Sequence, residues 1–211
     1  MLADVHHCNQ PPMFWIAFAA VLSAPEPRYM WLSNDDTPAK ELGNRSSVEV
    51  RLELTIAPNG RVQTCEIEKS GGDVRIDKYT CDLARRRALF RPAQAGDGAA
   101  VYGVYRIPIM WAAVPVSPMP SGDLAVTMNP APKGVHLPST AHVAFAVDAS
   151  GNISECGDEP PSLPGMARNN ATLVPIACDQ ILKNFAATPA KDSSGTPVPS
   201  VQNATVVFSR N

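Results

Sequence analysis

"NGRVQTCEIEKSGGDVRIDKYTCDLARRRALFRPA" (residues 59–93) is the stretch on which the reading of the chain turns. Pro58-Asn59-Gly60 is a hairpin turn signal, and Arg61 to Lys69 follows it as a strand-like run. Ser70-Gly71-Gly72 breaks that run, and Asp77 offers a cap for a helix over Lys78 to Leu89. Upstream, Val48, Val50, Leu52, Leu54 and Ile56 alternate with Glu49, Arg51 and Glu53, the pattern of a half-buried strand. "SNDDTPAKELGN" has helix-start chemistry: Asp35, Asp36 or Thr37 as cap, Pro38 in the first turn and Gly43 as terminator. Val101 to Trp111 reads as a last strand. The predicted order is helix, strand, strand, helix, strand. That is an α+β unit: a small antiparallel sheet of three strands with helices on one face.

The same landmarks recur further along. "VEVRLELTIAPNGRVQTC" (48–65) has a counterpart in "AHVAFAVDASGNISEC" (141–156), and in each a cysteine follows the turn glycine, Gly60 or Gly151, by five residues. From Cys81 and from Cys178 a Pro-Ala pair lies eleven residues ahead, at Pro92 and Pro189. Gly98 and Gly195 follow those prolines by six, and the aromatics Trp111 and Phe208 close the final strands thirteen later. One or two such spacings could coincide by chance; the whole series predicts two tandem modules. Their expected bounds are 31–112 and 135–211. A connection over 113–134, rich in Pro and small residues, is expected to be extended and exposed.

The repeat also bears on the cysteines. A zinc site wants four ligands in Cys-x-x-Cys or His spacing, and a redox motif wants Cys-x-x-Cys at a helix start. Neither module supplies either. Structural disulfides Cys65–Cys81 and Cys156–Cys178 are the economical reading, and such crosslinks persist in oxidising compartments. Cys8, beside His6 and His7, is left over and reads as incidental, so no metal site and no cofactor are expected.

Composition limits the alternatives. Of 211 residues, 45% are hydrophobic and 18% charged, enough for a folded core and against wholesale disorder. A formal charge of −2 gives no general attraction to nucleic acid or anionic lipid. "MFWIAFAAVLSAPEP" (13–27) has the length of a signal-peptide core and is too short for a transmembrane helix, so residues 1–30 are expected to form a processed or anchoring export segment. The start codon could be Met1 or Met13.

Taken together, "WLSNDDTPAKEL", "VEVRLELTIAPNGRV", "SGGDVRIDKYTC", "RRRALFRPA" and "GVYRIPIMW" resemble the C-terminal domain of TonB-family energy transducers, in a cysteine-containing variety. The resemblance covers residues 31–111; residues 135–211 share only the landmarks given above and read as a diverged copy. It implies a periplasmic or secreted binding module rather than an enzyme. In that family the domain captures an extended peptide of an outer-membrane receptor by adding a strand to its sheet. Carried over, the pairing edge would be Val101, Tyr102, Gly103, Val104, Tyr105, Arg106, Ile107 and Ile109, with Thr205 to Phe208 in the second module. No long spanning helix precedes the module, so no energy transduction is expected. An assembly role, with homodimerisation, is the alternative.

Arg85, Arg86 and Arg87 could grip a phosphate, lipid head group or glycan carboxylate, or could simply be favourably placed at a helix end. His136 and His142 stand apart, His142 on the polar side of a strand. No nucleophile with its base, carboxylate pair or phosphate loop is found, which is the sequence argument against catalysis.

Overall fold

The fold is known from a computed structural model that describes residues 22–113, 122–159 and 168–210. Residues 1–21 of the expected export segment, with Cys8, therefore lie outside the described residues, whereas residues 22–30 are described and include β1. In chain order the elements are β1 (Glu26–Pro27), a 3-10 turn (Asn34–Asp36), α1 (Ala39–Leu42), β2 (Ser47–Ile56), β3 (Val62–Lys69) and α2 (Val74–Arg87). Then come β4 (Phe90–Arg91), β5 (Ala93–Gln94), β6 (Ala100–Ala112), β7 (Leu124–Thr127), β8 (Ser139–Val147) and β9 (Ile153–Asp158). The chain closes with α3 (Leu173–Asn184), β10 (Ala190–Lys191), β11 (Pro197–Val198) and β12 (Ser200–Ser209).

β2 pairs antiparallel with both β3 and β6, and β8 pairs antiparallel with both β9 and β12. Each half thus has a hairpin, a helix and a returning strand that lies beside the first strand of the hairpin. The two triplets do not stand as separate sheets, as expected from the sequence. They join through a parallel pairing of β6 with β12, giving one mixed sheet in the order β3-β2-β6-β12-β8-β9. β7 is a second correction. Leu124–Thr127, read from sequence as exposed linker, pairs in parallel with Val206–Ser209 and covers an edge of β12 that β6 has left.

The parallel seam also decides where the helices go. Val50, Leu52, Leu54 and Ile56 pack with Ile76 and Leu83 of α2. Thr55, on the opposite face of β2, is registered with Val104, which is registered in turn with Gln202 and so with Phe145. Phe145 packs with Leu173 and Ile181 of α3. Registered residues of neighbouring strands point to the same face, so α2 and α3 cover opposite faces of the sheet, each over its own half.

Local chemistry explains the helix ends. α2 starts after Asp73, whose carboxylate accepts the Arg75 N–H at 2.9 Å. The sequence reading placed the cap at Asp77, which instead lies in the first turn. Its buried carboxylate accepts the Ser70 hydroxyl and the Gly71 N–H, fastening the end of β3 to the helix. The leading helix is shorter than expected, a 3-10 turn and then one turn of α1 that Gly43 ends at φ 58°. Cys65–Cys81 and Cys156–Cys178 are disulfides with Cα separations of 5.7 and 5.5 Å, joining β3 to α2 and β9 to α3.

Candidate protein-interaction surface

Strand addition needs a row of backbone N–H and C=O groups with no partner. The structure places the predicted edge residues Val101 to Ile109 on β6, between β2 and β12 rather than at a rim. Tyr102, Gly103 and Val104 pair with Ser200, Val201 and Gln202, and Val101 pairs with Ala93. The Arg106 N–H donates to Asn203 Oδ1 at 2.7 Å and the Arg106 carbonyl accepts from Asn203 Nδ2 at 3.3 Å. One side-chain amide thus occupies the place of a neighbouring strand. Pro108 has no N–H to offer. In the second half, Thr205 to Phe208 is flanked by β8 and, from Val206 on, by β7.

The part of β6 left open follows from the strand period. The Arg106 N–H points away from β2, so those of Met110 and Ala112 do too. Among the described residues no strand pairs with β6 on that side beyond Val104. Among the described residues, the carbonyl of Pro108 and both polar groups of Met110 and Ala112 are therefore the open stretch.

The seam is held by charge as well as backbone. Arg106, 6% exposed, is ion-paired to Glu53 at 2.7 Å, donates to Gln202 Oε1 at 3.0 Å and to the Asn203 carbonyl at 3.1 Å. Its guanidinium lies 5.2 Å from the centre of the Phe185 ring. Burial pushes the Glu53 carboxyl up from its usual range, and Arg106 opposes that shift. Beside it, Arg51 bonds to the Asp123 carboxylate and the Gly122 carbonyl, and Asp123 accepts the Thr205 N–H at 2.6 Å. The motifs and spacings read above did not mark this network. Its one visible signal was a run of polar residues, Ser200, Gln202 and Asn203, inside an otherwise apolar strand.

The three arginines of α2 do not act as one patch. Arg85 reaches the Cys65 carbonyl at 3.4 Å, Arg86 the Asp82 carbonyl at 3.1 Å, and Arg87 pairs with Asp36 at 2.7 Å. The Ser33 N–H and Arg87 together hold the Asp36 carboxyl below its usual range. Arg86 and Arg87 border an open cavity of about 530 Å³ that Arg61, Tyr29, Met30 and Leu89 also line. His142 is half-buried rather than solvated; its Nδ1 lies 3.0 Å from Thr205 Oγ1, and burial lowers its basicity.

Residues 38–112 match the family model of the Gram-negative bacterial TonB protein C-terminal. Comparison with curated proteins and with solved structures gives no match.

Proposed function

Residues 38–112 belong to the TonB C-terminal domain family, a family of non-enzymatic interaction domains of the cell envelope, and from that premise we propose that this chain captures extended peptide segments of envelope or outer-membrane receptor proteins. It does so by strand addition and without energy transduction of its own. The observation that carries the reading is the family match over residues 38–112, the part of the chain that holds β2, β3, α2 and β6. Two disulfides support a periplasmic setting, since such crosslinks are rare where thiols are kept reduced. The second half is read as a diverged copy of the first. Its hairpin, helix and returning strand follow the same order, with a crosslink in the same place.

The pairing edge proposed here lies at the C-terminal end of β6, past the residues read from sequence: Met110 and Ala112 with the Pro108 carbonyl. Amide spectra of the full chain titrated with a receptor-type TonB-box peptide test it. Saturable shifts at Met110 and Ala112 are expected; an unmoved β6 would sink the proposal. The alternative is an assembly module, favoured by one observation: most of β6 is already paired within the chain. Under it, sedimentation would show self-association and the peptide would do nothing.

A further inference from the structure

The segment Tyr29–Leu32 follows β1 through a bend, lies outside any helix or strand, and is pinned but unpaired. Trp31 is buried in the core of the first half. The Arg28 N–H donates to the Leu89 carbonyl at 2.8 Å, and the Tyr29 hydroxyl donates to the Arg87 carbonyl at 2.8 Å. At the other end the Ser33 N–H donates to Asp36 at 2.8 Å. Between these pins, the N–H and C=O groups of Tyr29, Met30, Trp31 and Leu32 make no hydrogen bond among the described residues. A pinned segment with open backbone loses little freedom when a partner pairs with it.

The cavity beside that segment is charged and apolar at once. Arg61 has no ion-pair partner among the described residues. Arg86 meets only a backbone carbonyl, and the single carboxylate of the lining, Asp36, is used by Arg87 and Ser33. Arg61 and Arg86 thus have no carboxylate partner within the lining, Asp82 acting on Arg86 from outside it. Met30 is 69% exposed and Tyr29 46%, large apolar groups that water would rather not meet. The volume of about 530 Å³ lies within the range of ligand pockets and holds a few residues of peptide.

We propose that this cavity binds an extended acidic peptide, whose carboxylates meet Arg61 and Arg86 while its backbone pairs with Tyr29–Leu32 and its apolar side chains cover Met30 and Tyr29. An inorganic phosphate dianion or a phosphodiester group would satisfy the arginines mainly as an acceptor, whereas the open backbone presents an alternation of donors and acceptors that a second peptide backbone matches. The site is separate from β6. It rests on the interaction-module reading but not on strand addition at Met110 and Ala112.

The probe is an acetylated, amidated pentapeptide alternating leucine with glutamate, titrated into the full disulfide-bonded chain and followed by amide shifts. Saturable shifts at Met30, Trp31 and Leu32 are expected. The dissociation constant should rise at least tenfold for the glutamine counterpart and for the double variant Arg61→Glu, Arg86→Glu. Both arginines are exposed, so an unchanged circular dichroism spectrum and melting point show that the variant is folded. Equal binding of the glutamine peptide, or no shift at residues 29–32, overturns the proposal. A receptor-type peptide that moves Met110 and Ala112 while the glutamate peptide moves nothing removes this site and keeps the strand-addition reading. The reverse pattern keeps the site and removes that reading.

Discussion

Arg106 is the residue on which the join between the halves depends most. It is buried, it faces Glu53 directly across the β2–β6 pairing, and its other donors are spent on β12. Removing it leaves a partly buried carboxylate without a partner, so Arg106→Ala is expected to cost about 3 kcal/mol or more in urea unfolding. The double replacement Arg106→Met, Glu53→Met should cost clearly less than Arg106→Ala alone. Glu159 makes the opposite case. Burial, with Asp123, Asp158 and Glu26 nearby, pushes its carboxyl up to about 8. A raised carboxyl stabilises the fold below the unfolded value near 4.5, and that contribution is lost as pH rises through about 8. Glu159→Gln should therefore leave stability nearly unchanged at pH 4 and raise it at pH 9 by more than about 1.4 kcal/mol, the worth of one pKa unit. Neither residue was legible in the sequence. Arg106 sat in an alternating strand and Glu159 at the end of another, and alternation says nothing of what lies across a face.

At the scale of elements, the hairpins and helices were largely readable because their signals are local. Alternation marks β2, Asn59-Gly60 marks the turn, and Gly43 stops α1. Asp77 reads as the cap, but Asp73, whose carboxylate reaches an N–H two residues on, acts as one. The cysteine pairings were readable because one interval repeats with a length change. Each crosslink ties a rim strand to the helix above it. Replacing Cys65 and Cys81 by Ala should lower stability by about 3 kcal/mol. The urea midpoint of the variant should not move with reductant through that pair, whereas the parent's should fall.

For the whole molecule, the seam was the least legible feature. β6 and β12 are registered across about a hundred residues, and no periodicity reports the partner of a strand. β7 escaped for the same reason, since four residues between prolines gave no sign that β12 had an edge to cover. A chain cut to residues 22–113 would expose Tyr102–Val104 and strip Arg106 of Gln202 and Asn203. We expect it to self-associate through β6 in sedimentation, in contrast to the intact chain at equal concentration. A monomeric fragment as stable as the parent would contradict the importance given to the seam.

The two crosslinks sit toward the outer margins of the sheet, while its midline is laced by three backbone pairs, the Asn203 amide and the two arginines Arg51 and Arg106. Strain on this molecule would then be resisted at the borders and relieved in the middle. Parting should begin as a book opens at its spine, with each cover still bound.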